Sequence, residues 1–350
     1  MRSGAPSISR ARAIRILAVC SLLWCFGVVV LGAYVRLSSS GLGCPDWPGC
    51  YGHWVVTSSS ANIEVGKAWR EMAHRYAAGM LGLMIVSLVF VRVAWRQRLL
   101  PLSQVIGLLS IVMVQGLLGR FTVTWQLKPL VVTLHLLLGC TTLSLLLWIV
   151  LSVFRGEKKL PPIDARRSTV ARLAAAVGLL AVGCQIVLGG WTSSNYAATA
   201  CPDFPTCQGQ WWPESDFKKG FALALRGPVA ASTARPQINY EGGVLATPAR
   251  TAIHLTHRLS AIVTTVVLLV ASILSLQLRE LKSRAAVMVL VALKLQLIVG
   301  ISMVLAGFPL WLATLHNAAA ALLLMATVAL NFALSSLPTV RSPRTVQAPP

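Results

Sequence analysis

Acidic residues are scarce: 10 Asp and Glu among 350 residues, against 31 Lys and Arg. Charged residues of both signs reach only 12%, about half the roughly 25% usual in soluble domains, which excludes a soluble enzyme. The basic excess, a net +21, would ordinarily raise the question of a nucleic-acid partner. Here the cations stand between long apolar runs instead of gathering in a basic stretch, so they read as topology signals and no nucleic-acid partner is expected. What the chain has in quantity is apolar side chain, 56% of its residues, with a mean hydropathy of +0.71.

A bilayer core about 30 Å thick needs about 20 apolar helical residues. Eight runs of that kind lie at about 14–34, 72–93, 102–119, 130–153, 170–191, 253–278, 285–306 and 310–334. The first follows Arg2, Arg10, Arg12 and Arg15 but is longer than a signal-peptide core and lacks a good small-residue cleavage site, so a retained helix is expected. Basic residues in short loops stay on the cytoplasmic side. Placing the N-terminus inside puts about 18 of them there, among them Arg92, Arg96, Arg98, Lys158, Lys159, Arg166, Arg167, Arg279, Lys282 and Arg284, against about 12 outside. Both termini are therefore expected in the cytoplasm, and the compact length without a clear transit peptide favours a bacterial inner membrane.

An internal repeat organises these spans. Cys44-Pro45-Asp46-Trp47-Pro48-Gly49-Cys50 in the first outer loop aligns without a gap with Cys201-Pro202-Asp203-Phe204-Pro205-Thr206-Cys207 in the second, at an offset of 157. Further on, His74-Arg75 matches His257-Arg258, Gln115 matches Gln296, and Thr133-Leu134-His135 matches Thr314-Leu315-His316. The expected fold is an all-α polytopic membrane protein, with eight transmembrane helices as two tandem, pseudo-symmetric four-helix bundles of the same orientation. Its parts are a cytoplasmic segment at 1–13, an N-terminal half at 14–154 and a basic linker at 155–169. A C-terminal half follows at 170–334, carrying a long outer loop at 192–252, and a disordered cytoplasmic tail closes the chain at 335–350.

A histidine inside a span is costly and marks a functional site by default. Four occur, His74, His135, His257 and His316, each read as six or seven residues inside the outer start of an inward-running span, roughly 9 to 10 Å deep at about 1.5 Å per residue. Two imidazoles facing each other across a bundle hold a planar iron macrocycle by both axial positions, so each half suits one haem. Zinc competes as a metal but prefers four compact ligands, and each half offers two spanning His with no Cys at their depth. His53 reads as a loop residue, while His254 lies one turn outward of His257 on a similar face.

The halves differ at Glu71, which sits three residues before His74 where the second half has His254. Two readings stand side by side: a proton acceptor beside a bound ring, or an acid favoured by the dipole of a helix start. Arg75 and Arg258 are candidate propionate contacts, with snorkelling to headgroups as the alternative. The pairs Cys44/Cys50 and Cys201/Cys207 fall on the outer, oxidising side, and the Pro-rich turns between them favour small disulfide loops, either structural or redox-active. Cys20, Cys25, Cys140 and Cys184 lie within spans and read as packing residues.

Taken with the run from Gly32-Ala33-Tyr34-Val35-Arg36-Leu37 to Gly41-Leu42, the Glu71-Met72-Ala73-His74-Arg75 motif and Gln115-Gly116-Leu117-Leu118-Gly119, the repeated histidines resemble the haem A synthase family over residues 14–334. The resemblance implies oxidation of the C8 methyl of haem O to the formyl of haem A through successive hydroxylations, an oxidoreductase activity serving cytochrome oxidase assembly. It implies a substrate haem O between His74 and His135 with Glu71 as catalytic residue, and a haem b cofactor between His257 and His316. It also implies an outer-loop disulfide at Cys44 and Cys50 and a second at Cys201 and Cys207, periplasmic in location. Membrane lipid, a haem O synthase and cytochrome oxidase assembly factors are the partners it implies. A non-catalytic bis-His membrane cytochrome b, a thiol oxidoreductase and a haem transporter are the competing functions.

Overall fold

A computed structural model of the chain describes residues 8–56, 64–95, 99–155, 163–223, 238–278, 280–335 and 339–340. Among them, eight helices are long and apolar enough to cross a membrane. They are α1 (Ile8–Leu37), α2 (Val65–Ala94), α3 (Leu102–Thr124), α4 (Pro129–Val153), α5 (Ala165–Ser194), α7 (Thr247–Leu276), α8 (Glu280–Leu305) and α9 (Leu310–Ser335), with a single-turn α6 (Phe217–Gly220) in the second outer loop. In lipid every backbone N–H and C=O must be satisfied within the chain, which is why the apolar runs are helical throughout. Pro129 opens α4 and Pro248 lies in the first turn of α7, where a missing N–H leaves no helical bond unmade.

Of the helices that start on the side of the disulfide loops, two begin well before their apolar runs. Val65 opens α2 and Thr247 opens α7, so His74 and His257 lie nine and ten residues into their helices, whereas His135 and His316 each lie six residues in. Hydropathy marks only the part of a helix in contact with lipid. Lys67, Arg70 and Arg250 continue the helices outward through polar surroundings without breaking the backbone pattern.

The duplication seen in the residues is repeated in the backbone. Ser39 and Tyr196 both take positive φ (50° and 53°), as do the pairs Tyr51–Gly52 and Gln208–Gly209. The turn from α3 to α4 passes through Gln126 and Leu127 with positive φ, and the turn from α8 to α9 through Gly307 and Phe308 in the same way. Leu127 N–H donates to the Thr122 carbonyl and Phe308 N–H to that of Met303, so each helix closes by the same long-range C-terminal bond.

Within the first half, α1 packs on α2 and α4, and α3 on α2 and α4; in the second, α7 packs on α5 and α8, and α9 on α5 and α8. Between the halves, α1 and α4 meet α9, and α4 meets α5. One buried core runs through both halves and includes Leu22 and Cys25 of α1, Leu143 and Leu146 of α4, Ala175 of α5 and Leu324 of α9. Leu83, Phe90, Leu180 and Val291 face outward, more than half exposed, as a lipid-facing surface requires. The segment 192–252 is not all irregular: beside α6 it carries a short 3-10 turn at Ala198–Ala200. Of the tail and linker, Thr339–Val340 pairs in parallel with Ile163–Asp164, and the rest of the expected disordered tail lies outside the described residues.

At one end of the bundle the guanidinium groups of Arg10, Arg15 and Arg155 lie over the rings of Trp95, Phe154 and Phe332, the pairing of cation and aromatic that anchors a helix at a membrane interface. Eight crossings among the described residues put the start of α1 and the end of α9 on that face. Green fluorescent protein fused after Pro350 is expected to fluoresce and alkaline phosphatase at the same point to be inactive. The reverse pattern would turn the molecule over.

Candidate functional site

Each outer-loop disulfide is closed, with S–S distances of 1.99 Å for Cys44–Cys50 and 1.98 Å for Cys201–Cys207. All four cysteines are buried, so exchange with an outside thiol requires the loop to open first. An aspartate organises each loop from within. Asp46 accepts N–H bonds from Tyr51 (2.7 Å) and Gly52 (2.8 Å), and Asp203 accepts from Gln208 (2.5 Å), Gly209 (3.0 Å) and the Thr206 hydroxyl. His53 belongs to this scaffold, paired backbone to backbone with Cys50.

Helix α2 holds the first loop through two buried side chains. Glu71 Oε2 accepts the Cys44 N–H at 2.8 Å, and its Oε1 lies 2.5 Å from Arg75 Nη2. Arg75 Nη1 in turn donates to the carbonyls of Asp46 (2.9 Å) and Gly49 (2.5 Å). In the second half Arg258 does the same for its loop, with Nη1 donating to Thr206 (2.7 Å) and Nη2 to Asp203 (2.8 Å) and Cys201 (3.1 Å), while its Nε contacts His254 Nε2 at 3.2 Å. Arg75 Nη1 and both terminal nitrogens of Arg258 are thus taken up by loop carbonyls, while Arg75 Nη2 meets Glu71 and Arg258 Nε meets His254. Glu71 lies six residues into α2, whose first turn contains no acid, so the reading of Glu71 as an acid drawn to a helix start by the dipole is not supported. A salt bridge this far out of water is strongly destabilised when one partner is removed, by about 3–5 kcal/mol.

Behind the loops, each of the four histidines sits edge-on against a glycine of a neighbouring helix. A Cβ added at Gly32 of α1 would stand 2.8 Å from His74 Cε1, and one at Gly300 of α8 would stand 2.9 Å from His316 Cε1. Gly119 and Gly189 stand in the same relation to His135 and His257, at 3.3 Å. Gly32 matches Gly189 at the offset of 157 and Gly119 matches Gly300 at 181, so the repeat itself marks these positions, although periodicity and hydropathy do not.

His257 and His316 line one cavity of about 340 Å³, together with His254, Gln185 and Gln296. Gln185 Nε2 lies 3.2 Å from His257 Nδ1, and Gln296 Nε2 lies 3.1 Å from His316 Nε2, so a glutamine amide touches each imidazole of this half. The first half is different. His74 and His135 lie within electrostatic range of each other, but Gln115 reaches the His135 carbonyl and not its ring. The position matching Gln185 is Val28, and the buried Nδ1 atoms of His74 and His135 have no hydrogen-bond partner, as is also true of His316 Nδ1 in the second half. No group of three or more His, Cys, Asp and Glu is placed to hold a metal among the described residues. Two imidazoles per half, each seated against a glycine where an added Cβ would crowd the ring, three of them with an unpartnered Nδ1 and the second pair lining a mostly apolar cavity, fit a planar iron macrocycle held from both faces better than a compact tetrahedral ion.

The family model described as cytochrome oxidase assembly protein matches residues 15–328. This chain belongs to that family. A haem A synthase of Shewanella oneidensis is 38% identical over 333 residues, covering 91% of this chain and 94% of the relative. Another, of Halalkalibacterium halodurans, is 27% identical over 317 residues, covering 87% and 91%.

Two outcomes test the geometry. Gly300→Ala should push the His316 ring from its place and lower haem content at the second site, whereas Gly183→Ala, where an added Cβ meets nothing within 4 Å, should leave it unchanged; equal haem content in both variants, read by absorbance per chain, would remove the notch from the account. Asp46 is raised by burial but lowered more by the Gly52 and Tyr51 N–H groups, and ends below the usual carboxylate range. Asp203 is lowered chiefly by Thr206 and further by the Gly209 and Gln208 N–H groups, which outweigh burial. Depressed carboxylates stabilise the loops above their unfolded pKa and lose that contribution as pH falls through the folded one. Reduction of the disulfides by a fixed concentration of a pH-insensitive phosphine should therefore accelerate only below the ordinary carboxylate range, near pH 4, and a rate flat across that range would count against the aspartate scaffold.

Proposed function

We propose that the chain is a haem A synthase: a membrane oxidoreductase that converts the C8 methyl of haem O to the formyl of haem A for cytochrome oxidase, with its disulfide loops on the periplasmic side of a bacterial inner membrane. The observation that carries this reading is the pair of two-histidine sites with unlike surroundings, in a chain whose relatives are named haem A synthase. His74 and His135 would hold the substrate, and their lack of amide partners suits a ligand that must arrive and leave. His257 and His316, each touched by a glutamine, would hold a resident haem b. Bound there, that group supplies one-electron redox chemistry.

The chain's own residues supply the rest. Oxidising a methyl to a formyl group releases protons as well as electrons, and Glu71 is the carboxylate close to the first site that is able to accept one. The Cys44 N–H and the Arg75 guanidinium hold that carboxylate in a fixed orientation. The apolar helices around the sites suit a substrate carrying an isoprenoid tail, which enters from lipid more readily than from water. A bis-His cytochrome b has the same ligands but leaves the buried carboxylate of the first half with only its scaffold contacts to Arg75 and the Cys44 N–H.

Expression in a host that makes haem O but not haem A, followed by extraction and mass spectrometry of the bound haems, tests the reading. Haem A or its hydroxylated precursor, absent from an empty-vector control, is the expected product; haem O recovered unchanged would favour a carrier or a cytochrome. Glu71→Gln keeps an acceptor for the Cys44 N–H and removes the charge. It should retain haem and accumulate haem O or the hydroxylated intermediate, with at least about a 100-fold loss of turnover, the usual range for a lost acid–base group. A normal haem A yield from Glu71→Gln would take Glu71 out of the proton chemistry.

A further inference from the structure

The cavity between His257 and His316 contains a cation that comes from the other half of the chain. Arg36 stands one residue from the end of α1, yet its guanidinium crosses to α5, where Nη2 donates to the Ser193 carbonyl at 2.7 Å and the group lies 4.1 Å from the centre of the Tyr196 ring. Both Arg36 and Tyr196 line the cavity. The Arg36 Nε and the Tyr196 hydroxyl are buried side by side, close enough to interact, and neither has a hydrogen bond of good geometry. Leaving such donors unmet is costly unless something else fills the place. Among the described residues no carboxylate forms an ion pair with Arg36; Glu241 acts on it only at longer range.

Arg75 and Arg258 are committed elsewhere, to the carbonyls of their own loops and to Glu71 and His254 respectively, and neither lines the cavity. Among the described residues lining the cavity, Arg36 is therefore the cation with a donor to spare, and the neighbouring wall is apolar, formed by Ile186, Met303, Phe308 and Leu323. An apolar enclosure with one cationic, donor-rich margin matches a flat amphiphile that carries carboxylates along one edge. We propose that Arg36 and Tyr196 form a carboxylate subsite for the macrocycle held by His257 and His316, so that the N-terminal half completes the C-terminal site. This rests on the two-histidine reading of that cavity. A planar guanidinium with a free N–H, beside a hydroxyl, binds carboxylate by charge-assisted hydrogen bonds in a geometry that an ammonium does not reproduce.

The test uses the full chain in detergent with His135→Ala, which disables the first site, titrated with haem b and with haem b dimethyl ester, in which both carboxylates are capped. The chain with Arg36 intact should prefer the diacid by about tenfold or more, as expected for a charged hydrogen bond. Arg36→Gln should abolish that preference while leaving the affinity for the ester unchanged, Arg36→Lys should restore it only in part, and Tyr196→Phe should reduce it. Equal affinity for diacid and ester in the chain with Arg36 intact would overturn the subsite without recourse to any Arg36 variant. A retained preference in a folded Arg36→Gln variant would overturn it as well, with the two-histidine site left standing. If neither ligand gives a low-spin, two-imidazole spectrum, the reading of the cavity falls and the subsite falls with it.

Discussion

The close approach of an imidazole edge to a bare glycine Cα is the contact on which both halves depend. It occurs four times, between α1 and α2, α3 and α4, α5 and α7, and α8 and α9, and each time it brings two helices together at the level of a candidate ligand. A ring packed against backbone has little freedom to turn, because protein interiors yield poorly to a displacement of even one methylene. The helices therefore position the histidines before anything binds, and the separation of helices within each pair is determined by the missing side chain.

The outer loops extend this order upward. Arg75 and Arg258 join helix to loop through carbonyls spread over the disulfide turn, and the aspartate in each turn meets the N–H groups that face inward. The first half departs from the second here at one residue of the loop anchor: Glu71 both bridges Arg75 and receives the Cys44 N–H, where His254 meets Arg258 and stands edge-on to Phe308. A carboxylate so held is a part of the scaffold as well as a candidate reactant. That dual position is why Glu71→Gln, which keeps an acceptor for the Cys44 N–H, disturbs the scaffold less than loss of the whole side chain.

Much of this was legible in the residues. Apolar runs show spanning helices directly, since lipid contact is a property of composition over about 20 residues. The paired motifs at an offset of 157 revealed the duplication, and the histidine pairs stood out because a polar ring within a span is rare. Less visible were the true starts of α2 and α7, whose polar first turns leave the bilayer without leaving the helix. The partners of Arg75 and Arg258 were hidden too, because a basic residue at a helix end looks the same whether it faces a loop or a bound anion. Gln185 escaped for a different reason: it has no counterpart in the first half, where Val28 stands, so a search by repetition passes over it. Arg36 stood in a recognisable run but gave no sign of its partner, since its reach to Ser193 arises only when α1 and α4 pack against α5 and α9.

The hydrogen bond from Arg36 to Ser193 joins residues that are 157 apart, the interval that relates the two copies of the repeat, so each is the other's counterpart. Contacts between counterparts lie where a symmetry axis passes. A pair of identical four-helix chains meeting in this way would set the same residue against itself, and an arginine facing an arginine repels. Two copies in one chain are free of that constraint. Here one position holds a cation and the other a serine whose carbonyl accepts from it, so a seam that symmetry would leave balanced is polar in one direction.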